Sequence, residues 1–178
     1  MPSSFSHAAV ALALAPAFWR PGAPRRIWVL GALAAAAPDL DVAGLRLGIE
    51  YGDPLGHRGF THSLVFAALL ATALARLALP DPLPAFSRAR AWLYLFLATA
   101  SHGLLDMLTD GGLGVALFSP FDNARVFFAF RPIAVSPLGA RAFFGPRGIA
   151  VLKSELLWVC APASLFAASC LALHRRWR

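Results

Sequence analysis

Five apolar stretches, at about 3–19, 27–37, 60–79, 90–109 and 149–173, account for most of this chain, and all are rich in Ala and Leu. Runs of this kind predict helices, because a backbone surrounded by hydrocarbon must satisfy its own hydrogen bonds. Composition agrees: 58% of residues are hydrophobic, 14% are charged and the mean hydropathy is +0.64, too apolar for an ordinary water-soluble domain. The expected fold is therefore all-α, a polytopic transmembrane bundle of about five helices, some short or broken. It forms a single membrane-embedded domain over 1–178, with an extramembrane loop at about 110–148.

Several details sharpen this expectation. The second stretch has about 11 residues and spans roughly 17 Å, which cannot cross a hydrocarbon core of about 30 Å. It must end inside the bilayer or continue, broken, past Pro38. The first stretch has no Lys or Arg ahead of its apolar run, so it reads as a mature helix and not as a cleaved signal. The prolines at 80, 82 and 84 mark a connector between the third and fourth helices. Cys160 and Cys170 lie in one stretch, about 15 Å apart along a helix, too far for a disulfide.

The formal charge of +7 raises nucleic acid as a partner, but the basic residues punctuate apolar segments and build no basic face with interleaved aromatics. The lipid bilayer is the partner expected, nucleic acid is not, and the sequence sets no oligomeric state. Threading the chain through five spans puts Arg20, Arg25, Arg26, Arg76, Arg88, Arg90, Arg175, Arg176 and Arg178 at one end. The positive-inside rule makes that end cytoplasmic, in a multi-pass protein of a bacterial-type inner membrane.

That threading gathers residues not used to draw it. His7, Asp39, Asp41, His57, His62, His102 and Asp106 all fall toward the opposite, non-cytoplasmic end. His7 is 12 residues from Trp19, Asp39 is 12 from Ile27 and His102 is 12 from Arg90. Twelve residues make about 18 Å of helix, so three side chains from three helices share one level beyond the midplane. Ionisable groups there cost about 2.5 kcal/mol or more each, and they persist by facing the bundle interior with a partner. A divalent cation satisfies carboxylates and imidazoles together.

The separate motifs carry different weight. His102 and Asp106, spaced i, i+4, share one helical face and can reach the same ion, with Asp110 extending the stripe. Taken alone, such a pair is more often a helix-end His with a surface carboxylate; the shared depth reverses that preference. Pro38 breaks the backbone beside Asp39 and Asp41, letting one or both turn inward. His57, Arg58, Gly59, Thr61, His62 and Ser63 open the third helix, where Thr61 as an N-cap with interfacial histidines is the plainer alternative. A helix N-terminus also favours an anion, so Arg58 can hold a phosphate or carboxylate of a substrate.

A His in the first helix, the Pro38 to Asp41 element, the His57 to Ser63 cluster and the run from His102 through Asp106 to Thr109 and Gly112 together resemble the YdjM-like (DUF457) family of inner-membrane metal-dependent hydrolases. The resemblance covers roughly 7–121, including Ser119, Pro120 and Phe121. A more distant similarity is to the zinc-dependent phospholipase C and P1-nuclease group. It implies His7, Asp39 or Asp41, His57 or His62, His102 and Asp106 as ligands. Beyond Asp122 only Glu155 and His174 remain of the types needed for a third ion, so one or two divalent ions, zinc by preference, are expected in place of three.

The expected chemistry is metal-assisted hydrolysis of a phosphoester or lipid-linked substrate, with Asp41 or Asp39 as general base. Arg58, Arg125 and Arg131 would neutralise substrate charge. Two rival classes use the same residues: a proton- or cation-coupled transporter, and a membrane protein stapled by a permanent metal. The 110–148 loop, rich in Phe, is either a lid lying on the membrane or part of the core. The topology has a direct consequence. In a chain with Cys160 and Cys170 replaced by Ser, Arg25→Cys should react with a thiol reagent only from the cytoplasm and Asp53→Cys only from the other face; the opposite pattern inverts the orientation.

Overall fold

The structure is a computed structural model that describes residues 1–79, 86–138 and 140–176, without the side chains of Ala140 and Arg176. The expected proline-rich connector beyond Leu79 and the C-terminal Arg178 lie outside the described residues. The elements are α1 (Ser4–Phe18), α2 (Arg26–Ala36), α3 (Leu64–Leu77), α4 (Arg88–Met107), a short α5 (Ala140–Phe143), α6 (Pro146–Glu155) and α7 (Ala161–Arg176). Among the described residues there is no strand, only the isolated bridges Thr109 to Ile133 and Val115 to Val126.

Pro38 decides how α2 ends. Its missing N–H and its ring stop the regular α-helical ladder, and the chain continues as a tighter 3-10 helix over Ala37–Leu47, ending at the left-handed Gly48. The short second stretch thus continues broken, and the combined Arg26–Leu47 rod has 22 residues. A second long apolar rod runs over Pro146–Arg175, through a π-helical turn at Leu156–Cys160 that joins α6 to α7. These two are long and apolar enough to cross a membrane. α1 and α3, with 15 and 14 residues, span only about 20 Å of helix. Of the irregular backbone beside the site, Pro38, 56–59, His62 and Ser63 are buried in protein, the circumstance in which a membrane tolerates it.

α4 is the central rod, packing on α1, α2 and α3, while α7 packs on α1. Lipid offers no hydrophobic drive between helices, so close approach of small residues has to supply the contact. Ala67, Ala71 and Ala75 form a buried stripe on α3, whereas Leu69 and Leu77 face outward. Ala11, Ala35 and Ala98 do the same where α1, α2 and α4 meet. Near the basic end, Ile27, Phe86 and Tyr94 form the largest apolar cluster, and the Tyr94 hydroxyl donates to the Ala11 carbonyl at 3.0 Å.

The loop over 110–138 has two characters. Val115, Leu117 and Ile133 are buried, while Phe118, Phe121, Phe128 and Phe130 are exposed. The buried residues join the core, and the exposed phenylalanines leave an apolar face on the loop's outside. Gly31 shows how tight the bundle is: a Cβ there would lie 2.3 Å from the Tyr94 hydroxyl. Gly31→Val should destabilise the protein by about 1–3 kcal/mol, read as a lower midpoint in detergent unfolding, with Tyr94→Phe alone costing less.

Candidate metal centre

The site is assembled at one end of the bundle, away from the aromatic cluster. α1 contributes His7, the 3-10 helix after α2 contributes Asp39 and Asp41, and α4 contributes His102 and Asp106. His57 and Arg58 come from the connector ahead of α3. His62 sits in a single 3-10 turn, Phe60–His62, and Ser63, not Thr61, caps α3 by accepting from the Phe66 N–H at 3.1 Å. His7, His57, Arg58, His62, His102 and Asp106 are all buried. The level inferred from counting residues is present in three dimensions: the His7 and His102 rings stack with centroids 3.6 Å apart, and His102 Nε2 lies 3.2 Å from Asp39 Oδ1.

Hydrogen bonds on the far side of His57, His62 and His102 each place a proton on Nδ1. His102 Nδ1 donates to the Ala35 carbonyl at 2.7 Å, since a carbonyl only accepts, and Nε2 is left with its lone pair. His57 Nδ1 donates to Asp41 Oδ1 at 2.7 Å. Thr61 donates to Asp41 Oδ2 at 2.6 Å, so the proton on His62 Nδ1 points to the same carboxylate at 3.2 Å and to the Thr61 oxygen. His62 Nε2 and His102 Nε2 then face each other at 3.1 Å. Two lone pairs at that distance need a proton or a cation between them.

Several remaining donors and acceptors form no hydrogen bond, although Arg58 pairs with Asp106. Both nitrogens of His7 and both oxygens of Asp39 and of Asp106 are buried without a hydrogen-bond partner. Asp106 Oδ1 is 3.6 Å from His7 Nε2, its Oδ2 is 3.6 Å from His62 Nε2, and His62 Nε2 is 3.7 Å from Asp39 Oδ1. Buried polar atoms are nearly always satisfied, so this concentration is what a bound cation would correct. His7, His102 and Asp106 form one group and Asp39, His57 and His62 another, each offering one ligand atom per residue within 4.8 Å of the others. Either group can hold a metal ion.

The arginines do different work from one another. Arg58 adopts a left-handed backbone, φ 64°, and its Nε lies 2.9 Å from Asp106 Oδ2. Its other nitrogens donate to the Gly111 carbonyl at 2.8 Å and to Thr109 Oγ1 at 3.0 Å, so its donors are directed at the protein. Arg125 donates to the carbonyls of His57, Tyr51 and Asp53 and lies over the Tyr51 ring, tying two connectors together. Burial raises the Tyr51 phenol above its ordinary value, outweighing the nearby Arg58. Arg131 is exposed and sits 4.8 Å above the Phe127 ring. Asp110 is not part of the cluster; its carboxylate accepts from the Val135 N–H.

Three contributors escaped the sequence reading. The Ala35 carbonyl and the Thr61 hydroxyl act through backbone position and rotamer, which leave no pattern in a sequence. Glu155 did leave one: a lone carboxylate inside the apolar run 149–173, the kind of residue that marks function in a membrane helix. It is buried, accepting from the Ser3 N–H, from Ser3 Oγ at 2.6 Å and from Ser6 Oγ at 2.7 Å. It thereby holds the first turn of α1, which carries His7.

Fold and site together define a polytopic membrane helix bundle that encloses a His- and Asp-lined centre able to bind metal. Residues 1–177 match the family described as YdjM inner membrane protein, and the chain belongs to that family. It is 38% identical over 171 residues to inner membrane protein YbcI of Escherichia coli (strain K12), covering 93% of this chain and 94% of that protein. No solved structure matches it.

The Arg58 and Asp106 pair sets a clear expectation. Removing one partner leaves a buried charge, so Arg58→Met should cost about 3–5 kcal/mol of unfolding free energy, while Arg58→Met with Asp106→Leu should recover much of it. Equal losses in the single and double variants would show that Arg58 matters through Thr109 and Gly111 instead.

Proposed function

We propose that this protein is a membrane-bound, metal-dependent hydrolase of a phosphoester carried on a lipid or other amphiphile. The observation that carries the reading is the set of buried ligand atoms on His7, on Asp39 and at Asp106 Oδ1 that form no hydrogen bond, beside the facing Nε2 atoms of His62 and His102. His7, His102 and Asp106 would hold one divalent ion, and Asp39, His57 and His62 a second, with zinc the metal best suited to mixed imidazole and carboxylate ligands. Such an ion supplies Lewis acidity toward a phosphoryl oxygen and brings the pKa of a water molecule near 7.

The chain's own groups divide the remaining work. Asp41, engaged by His57, His62 and Thr61, orients two imidazoles, a role whose loss commonly costs 10–100-fold in metal affinity or activity. Asp39 has no donor on either oxygen and is the carboxylate available to take a proton from water. Arg58 holds Asp106 in place from behind. Arg131, exposed above Phe127, is a cation placed to meet substrate charge. The exposed Phe118, Phe121 and Phe130 of the loop offer an apolar approach for an amphiphile.

Elemental analysis of detergent-purified protein tests the centre: the wild type should carry about one or two zinc or similar ions per chain, and His102→Ala and Asp106→Ala should lose them while remaining folded. A metal-free wild type with folded variants would overturn the reading in favour of a proton or cation pathway through the same residues. The substrate half fails separately, if the metal-loaded protein leaves lipid phosphoesters intact while cleaving a soluble ester.

A further inference from the structure

The end of the bundle opposite the metal centre contains a groove of about 490 Å³ between α1, α2 and α7, within the volume range of small-molecule sites. Its floor is apolar, made by Leu12 and Ala15 of α1 and Leu171 of α7. Trp19 and Trp28 wall it, and His174 and Arg175 stand at its rim, with the Trp19 and His174 rings edge to face at 6.3 Å. The cations beside this rim have little to answer them. Arg20, Arg25, Arg26 and Arg175 are all exposed, and among the described residues no carboxylate pairs with any of them. Eight of the chain's nine carboxylates lie toward the other end; Asp81, the ninth, is outside the described residues.

An apolar groove open to the bilayer, walled by two indoles and rimmed by cations, matches an amphiphile with a long tail and an anionic head. Indoles favour the level of the headgroups, and basic pockets between membrane helices bind anionic head groups. We propose that this groove holds an acyl chain of an anionic phospholipid, with His174 and Arg175 meeting its phosphate and Arg20, Arg25 and Arg26 supplying the surrounding positive field. The bound lipid fills the space between the first and last helices, α1 and α7, at the end where Glu155 does not join them. The site is independent of the metal centre and of any hydrolytic activity.

The test uses the full chain reconstituted in vesicles of equal parts phosphatidylglycerol and phosphatidylcholine, then extracted in mild detergent, with retained lipid identified by mass spectrometry of the intact complex. Phosphatidylglycerol should be retained in preference to phosphatidylcholine. Arg175→Gln, at an exposed helix end, should lower that preference by about five-fold, equivalent to roughly 1 kcal/mol per basic residue. Ala15→Phe, which places a ring in the groove, should abolish retention while metal content stays at the wild-type level. Equal retention of the two lipids, or retention unchanged in Arg175→Gln, would overturn the proposal. Should Ala15→Phe fail to fold, Arg175→Gln decides the question alone.

Discussion

The structure depends on a deficit of hydrogen-bond donors and positive charge at one buried level. Asp39 and Asp106 are carboxylates in a low-dielectric interior, and among the described residues Arg58 is the guanidinium paired with Asp106. The imidazoles of His62 and His102 would ordinarily help, but each holds its Nδ1 proton on an outer acceptor, Asp41 or the Ala35 carbonyl. The two Nε2 atoms therefore face each other at 3.1 Å, with Asp39 and Asp106 beside them. Such an arrangement is costly without a cation and stable with one.

Two irregular segments serve that convergence, the 3-10 helix after α2 and the connector ahead of α3. In the 3-10 helix that contains Pro38, two residues turn through about 240°, so Asp39 and Asp41 stand about 120° apart, closer than the roughly 160° of an α-helix. The left-handed backbone at Arg58 sends its side chain beneath Asp106 and out to Thr109 and Gly111. Its own carbonyl accepts from the Ala116 N–H, and Leu64 N–H donates to the Leu117 carbonyl, so the long loop is laced to the ligand-bearing connector. The regular helices α1 and α4 supply His7, His102 and Asp106, and the broken segments supply Asp39, Asp41, His57 and His62.

Much of this was legible in the sequence, and for physical reasons. Span positions follow from hydropathy, and counting residues along rods of fixed rise is enough to put His7, Asp39 and His102 at one level. The i, i+4 spacing of His102 and Asp106 likewise needs only helical geometry. What counting does not reveal is direction off the helix. That Asp41 faces His57 and Thr61 while Asp39 faces His102 depends on the pitch of the 3-10 turn. That Arg58 and Arg125 are committed to protein acceptors, leaving Arg131 outside, depends on how loops far apart in sequence lie against one another.

Glu155 links this architecture to the order in which the chain is made. Ser3 and Glu155 are 152 positions apart, so the turn that presents His7 is secured by a residue synthesised near the end. Closing so long a loop is entropically unfavourable until the intervening helices have packed and brought the two ends together. The first ligand to enter the membrane is therefore among the last to be locked in place. A chain truncated ahead of Pro146 would keep its early helices yet lack the carboxylate that secures the turn carrying His7, so the candidate centre is finished only once α6 has been made and packed.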